Sequence, residues 1–308
     1  MQPIAAKIPG IGAMALIVSS LAVLTPSVAT ANVVAGSDSA FGVSVNLNLT
    51  LIGSNVGAVI GPLPTLANTA PAPHNVTTNT ASVNASAGTF GLLGANTVAD
   101  VGTGLITLTT TSNVDGSLGP KFATGQSTVN NLGVGLINLP PVLGIPVADL
   151  LGISATTISS TATVSGDYGS LVGVGSSTVE NLQLQLSGLP ILNLTGTINP
   201  APNTNVTLLT PVAGLSVILN EQIPTFTGGQ LETRSLTVNA VHIILNALNV
   251  PGLGSLTGDI IIGQSRATLQ ATPEPSSVIM LGLSLSAIAG PALLRRRRAK
   301  AANSSAAA

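Results

Sequence analysis

Between Phe41 and Leu51 the chain alternates strictly. Phe41, Val43, Val45, Leu47, Leu49 and Leu51 fall on one side; Gly42, Ser44, Asn46, Asn48 and Thr50 fall on the other. A period of two puts the apolar residues on one face of a pleated strand and the polar ones on the opposite face. The rhythm returns in the Thr-rich run Leu105, Thr107, Thr109, and in Val179, Leu182, Leu184 and Leu186 with Gln183 and Gln185 between the last three. It returns again in Leu236, Val238 and Ala240 ahead of Val241–Leu245, and Ile260-Ile261-Ile262 is a short buried-strand candidate. No helical stripe with caps occurs between residues 32 and 272, and Thr, Val and Ile crowd a helix while suiting a sheet. The pattern predicts an all-β body.

Turn signals separate these runs. Asp115-Gly116 divides 104–114 from 121–132, and Gly166-Asp167-Tyr168-Gly169 divides 153–165 from 171–186, each as a hairpin. Pro140-Pro141, Pro190, Pro200, Pro202, Pro211, Pro224 and Pro251 mark loops or edges. The segment Gly61 to Pro73 reads as a Pro-rich loop linking an N-terminal strand to the rest. Ser127-Thr128-Val129-Asn130-Asn131-Leu132, running on to Leu139-Pro140, returns 50 residues later as Ser177-Thr178-Val179-Glu180-Asn181-Leu182, running on to Leu189-Pro190. A fainter copy begins at Leu236-Thr237-Val238-Asn239. Repeats near 104–140 and 153–190, built from long hairpins, predict a duplicated antiparallel β-sandwich, with a β-solenoid as the alternative.

Both ends read as addresses. Lys7, the apolar run Ile11–Leu24, Pro26 and the small-x-small site Ala29-Thr30-Ala31 make residues 1–31 a secretory signal peptide cut after Ala31. At the other end, Pro273-Glu274-Pro275 precedes an uncharged stretch from Val278 to Leu294, and Arg295, Arg296, Arg297 and Arg298 follow at once. That stretch is long enough for one transmembrane helix over 278–294. The arginines hold their side in the cytoplasm, leaving 299–308 as a cytoplasmic tail and the bulk of the chain outside.

Pro-Glu-Pro, a single span and an arginine cluster in that order resemble the PEP-CTERM sorting signal of Gram-negative bacteria, here over residues 273–298. The resemblance implies sorting by exosortase after signal peptidase has acted, and company with extracellular polysaccharide. The body is similar to the choice-of-anchor P family. That likeness rests on Ala40-Phe41-Gly42-Val43-Ser44-Val45, the paired S-T-V-x-N-L segments, Asn203–Leu208, Val217–Gln222, Leu236–His242 and Gly258–Gly263. The family implies a body shared among different anchoring tails, and no enzymatic activity.

Chemistry is sparse between the addresses. Residues 32–272 hold nine acids (Asp38, Asp100, Asp115, Asp149, Asp167, Glu180, Glu221, Glu232 and Asp259) against three bases, Lys121, Arg234 and Arg266. This mild acidity suits a secreted protein and offers no basic face to nucleic acid. With no Cys and two His, disulfides and thiolate metal sites are excluded, and the histidines cannot form a zinc centre unaided. No Walker loop or dinucleotide fingerprint occurs, so no cofactor is expected. Asp115 and Asp167 sit in corresponding turns, as calcium ligands or, more simply, as turn-forming carboxylates. Glu221 with Glu232 or Asp259 could form the carboxylate pair of a glycan hydrolase. His242 lies in an apolar run without a nucleophile elbow, and reads as a hydrogen-bonded strand residue. His74, in the Pro- and Thr-rich segment, has no partner visible in sequence.

These readings converge on an exported, non-catalytic surface or matrix protein, membrane-anchored before processing. It would contact polysaccharide or neighbouring surface proteins through sheet faces carpeted in Thr, Ser and Asn, or through strand edges. A secreted glycan hydrolase is the alternative.

Overall fold

The computed structural model describes residues 32–51, 54–91, 95–138, 149–229, 231–250 and 254–273. Within them the alternating runs become strands, all antiparallel to their neighbours, and no helix occurs. In chain order they are β1 (Asn32–Leu51), β2 (Ser54–Ala70), β3 (His74–Thr80), β4 (Val83–Gly91), β5 (Ala95–Thr103), β6 (Ile106–Ser112) and β7 (Lys121–Asn138). There follow β8 (Asp149–Gly166), β9 (Val172–Leu186), β10 (Leu189–Ile198), β11 (Thr204–Asn205), β12 (Leu215–Thr227), β13 (Glu232–Val250) and β14 (Gly254–Thr272). The signal-peptide residues Ala29 and Ala31, the span 278–294, Glu274, Pro275 and the four arginines lie outside the described residues; Pro273 follows β14 without regular structure.

Two sheets result. One has six strands in the order β11-β12-β13-β14-β1-β2; the other follows β10-β9-β8-β7-β5-β4, with β6 pairing β7 and β3. Along the flank of β7, β5 and β6 lie end to end in one register, Gly102 opposite Gly133 and Ile106 opposite Val129. β3 and β4 continue along β6 and β5 in the same way. The chain lays down β1 and β2 in the first sheet, folds the second as a meander from β3 to β10, then returns. β14 closes the path against β1, with Asn32 paired to Thr272. The sheets are stacked and do not close into a barrel; their inward residues share a core of Val, Leu and Ile. Each fully buried Leu or Ile there, such as Leu47, Ile158, Leu184 and Ile243, contributes roughly 1.5–3 kcal/mol.

Two sequence expectations are corrected. Gly61–Pro73 is not a loop: β2 runs through it to Ala70. The prolines are tolerated because β2 is an edge strand, where a missing N–H leaves no ladder bond unmade. Nor does the alternation of β1 hold from end to end. Val43, Val45, Leu47 and Leu49 are buried, but Phe41 is on the opposite face, because Gly42 and Val43 both point inward.

That slip is one of a set. In the six-stranded sheet Leu219-Asn220, Ala240-Val241 and Ile262-Gly263 are likewise inward doublets. In the eight-stranded sheet the doublets point outward: Asn130-Asn131, Thr156-Thr157 and Glu180-Asn181. The residue that resets the phase is often left-handed, with φ of 49° at Asn131, 51° at Asn181, 51° at Asn220 and 64° at Gly263. Asparagine bears this conformation better than β-branched residues do. The repeat S-T-V-x-N-L thus encodes a break in the alternation: its Asn is the left-handed residue in both β7 and β9, and the β7–β8 and β8–β9 registers run unbroken across it. The two rows of doublets face each other, since a Cβ on Gly263 would lie 3.3 Å from Ile158 Cγ2. One sheet therefore puckers inward where the other puckers outward, and the stack bends at this row.

Toward the end that holds Asn32 and Thr272, the core changes character. It is built from Val33, Ala123, Ala162, Val164, Ala267, Leu269, Ala271 and neighbours. Small residues let the sheets approach closely: a Cβ on Gly125 would lie 2.5 Å from Ser39 O and 2.7 Å from Arg266 O. Ser127 ties the layers together, donating to Phe41 O at 2.8 Å.

Candidate functional site

On the far side of this row of doublets, the outer face of the eight-stranded sheet is hollow. The registers align Asp100, Gly135, Gly152 and Gln185 in one rank and Gly102, Gly133, Ser154 and Gln183 in the next. Glycines on β5, β7 and β8 form the floor, and side chains from the outer strands form the walls. The groove encloses about 390 Å³, lined also by Asp149. It continues over the doublets as a hollow of about 350 Å³ lined by Asn131, Thr156, Asn181 and Gln183. Asn181 is fixed there: its Nδ2 donates to Thr156 Oγ1 at 3.1 Å and its Oδ1 accepts from Gly196 N at 2.8 Å.

Asp149 folds over Gly135, whose hypothetical Cβ would lie 2.5 Å from Asp149 Oδ2. Burial pushes the Asp149 carboxyl above its ordinary value, and the charge of Asp100 pushes it further the same way. A glycine floor, two carboxylates and several carboxamides can bind a polyhydroxylated chain, which brings many donors and acceptors and needs close backbone approach. Sequence reading missed this site. Its signal was the alternation Gly133-Val134-Gly135, with Val134 buried and glycine on the outward face.

The carboxylates expected of a hydrolase are held apart. Glu221 pairs with Asn239 across β12 and β13, whereas Glu232 begins β13 seven residues earlier, a separation along the strand of about 23 Å. Glu232 is buried and accepts from Gly169 N at the hairpin between β8 and β9. Asp259 pairs with Ile244, five residues beyond Asn239, again about 16 Å along the strand. Glu221 instead joins a polar network. Its Oε2 lies 2.8 Å from His242 Nδ1 and accepts from Asn239 Nδ2 at 2.6 Å; Asn239 Oδ1 accepts from Gln264 Nε2 at 2.7 Å. His242 is thus a hydrogen-bonded strand residue, as its setting in the sequence indicated.

The turn aspartates make turn contacts. Asp115 accepts from Ser117 N at 2.9 Å and from Lys121 Nζ at 2.6 Å. The hydrogen bond from Lys121, then those from Ser117, hold its carboxyl well below the usual carboxylate range. Asp167 accepts from Tyr168 N at 3.0 Å. Among the described residues, no three His, Asp or Glu side chains gather as a metal site would require.

His74 has a partner that the sequence concealed. It opens β3, and its Nε2 lies 2.9 and 3.0 Å from the two carboxylate oxygens of Asp38 on β1. The Asp38 side chain is fully buried and that of His74 is 12% exposed. Burial raises the Asp38 carboxyl above its ordinary value, against the lowering effect of His74.

Among the described residues no helix is long and apolar enough to cross a membrane. No family model, no curated protein and no solved structure matches the chain.

Proposed function

We propose that this chain is an exported surface or extracellular-matrix protein, sorted by exosortase through residues 273–298, whose β body binds polysaccharide without catalysis. The observation that carries the binding role is the glycine-floored groove between Asp100 and Gln185. It offers acceptors from Asp100 and Asp149, and donors and acceptors from Gln183, Gln185, Asn131 and Asn181, along a course that crosses several strands. Such a course suits an extended chain of sugars better than a compact metabolite. The separation of Glu221, Glu232 and Asp259 removes the carboxylate pairs that the sequence offered for glycoside cleavage, which needs two carboxyl groups within about 5–9.5 Å of each other.

The test is co-sedimentation of residues 32–272 with the polysaccharide of the producing cell. Binding that survives in wild type and falls at least tenfold in the Asp149→Asn/Gln185→Ala variant is expected. Equal binding by both would remove the groove from the account. Sorting is tested separately by intact mass: loss of both ends supports exosortase, while retention of residues 273–308 in the inner membrane rejects it.

A further inference from the structure

On the other side of the row of doublets, nearer Asn32 and Thr272, the outer face of the eight-stranded sheet is a grid. β6 contributes Thr107, Thr109 and Thr111; β7 contributes Thr124, Gln126 and Thr128; β8 contributes Ser159, Thr161 and Thr163. The registers set them in three ranks: Thr111–Thr124–Thr163, Thr109–Gln126–Thr161 and Thr107–Thr128–Ser159. Eight of these nine positions are hydroxyls. β3 and β9 extend the ranks with Asn75, Thr77 and Asn79 on one flank and Ser176 and Thr178 on the other. None of the nine acids and three bases of the body belongs to the grid.

The hydroxyls are ordered before any ligand arrives. Thr124 Oγ1 and Thr163 Oγ1 are 3.0 Å apart, Thr77 and Thr109 Oγ1 are 3.1 Å apart, and Thr111 donates to Asn75 Oδ1 at 3.2 Å. Threonine is stiff about χ1, so methyl and hydroxyl positions are both fixed. The repeat is about 4.8 Å across strands and about 6.7 Å along them. Across the three central strands the sheet turns by roughly 20–25° from each strand to the next.

An uncharged surface, periodic in two directions and paved with hydroxyls and methyls, complements a ligand that repeats in two directions on the same length scale through hydrogen bonds. Sugar chains are commonly gripped by aromatic platforms or grooves. The grid contains no aromatic residue, and the groove lies beyond the row of doublets. We propose that this face binds the surface of ice crystals through a layer of water ordered by the Thr ranks. This site is independent of the polysaccharide groove.

Residues 32–272 form one compact unit and suffice for the test. The protein is frozen slowly into a growing ice front beside an inert carrier protein. Three forms are compared: wild type, Thr161→Tyr in the middle rank, and Asn48→Tyr on the exposed outer face of the other sheet; far-ultraviolet circular dichroism checks that all three fold. Enrichment of wild type and Asn48→Tyr in the ice fraction at least fivefold over the carrier, with loss of that enrichment in Thr161→Tyr, is expected. Exclusion of wild type from ice, or equal enrichment of all three, overturns the proposal. Wild type excluded from ice but retained on crystalline cellulose, with that retention lost in Thr161→Tyr, also overturns it and assigns the grid to a carbohydrate solid.

Discussion

Replacing His74 with Ala isolates the most exposed weakness of the fold. Asp38 points between the layers with its side chain fully buried, and His74 is its hydrogen-bonding partner. Removing one member of a buried pair costs about 3–5 kcal/mol, because the other charge is left without compensation. For a domain of this size that corresponds to a fall in Tm of roughly 6–20 °C. The loss should depend on pH. Burial already places the Asp38 carboxyl above its unfolded value, and the substitution removes the influence that opposed it. A carboxyl whose pKa is higher folded than unfolded binds its proton more tightly in the native state, so stability rises as pH falls through the folded pKa toward the ordinary value of about 3.9. The variant should therefore recover part of its deficit between pH 7 and about pH 4, near the unfolded value. Urea unfolding followed by circular dichroism at both pH values measures this, with equal m-values confirming a comparable transition. The Asp38→Leu/His74→Ala variant, which leaves no buried charge, should be closer to wild type than His74→Ala is. A single variant within about 1 kcal/mol of wild type at pH 7, or one whose deficit does not shrink at about pH 4, would refute the reasoning about an uncompensated carboxylate.

Three further outcomes follow from the packing. Asn131→Val and Asn181→Val place β-branched residues in left-handed backbone and should each destabilise by about 1–2 kcal/mol, whereas Asn→Gly at either position should cost less; chemical denaturation distinguishes them. Gly125→Val forces a side chain into the carbonyls of Ser39 and Arg266 and should abolish cooperative unfolding or lower stability by about 3 kcal/mol or more. Asp100→Asn removes the like charge facing Asp149 and should lower the Asp149 pKa, read by side-chain carboxyl titration in nuclear magnetic resonance; an unchanged value would mean that burial alone sets it.

The class of the fold was legible because the runs that form β1, β6, β9 and β13 alternate, and period two has few structural meanings. The hairpins at Asp115-Gly116 and Gly166–Gly169 were legible because left-handed turn positions restrict residue choice. Pairing between distant strands was not. Nothing local tells β1 that it lies beside β14, so the contact of Asp38 with His74 was invisible, and the prolines of β2 could not be recognised as residues of an edge strand. The repeat was seen as a duplication, but its Asn was not recognised as the left-handed residue that breaks the alternation, because an Asn on an outward face reads as ordinary polarity. The groove hid for a similar reason: glycine on a polar face marks a hollow only when glycines on neighbouring strands come into line, and that alignment is a property of register.

The pairing of Asn32 with Thr272 also has a mechanical meaning. Any tether continuing past residue 272 enters the molecule through β14, which is flanked by β13 on one side and β1 on the other along almost its whole length. A pull directed along that strand must slide two long ladders at once, loading their hydrogen bonds in parallel rather than opening them one at a time. The strand that would carry the load is thus among the best gripped in the body, and drag on the outer faces would reach the tether through shear.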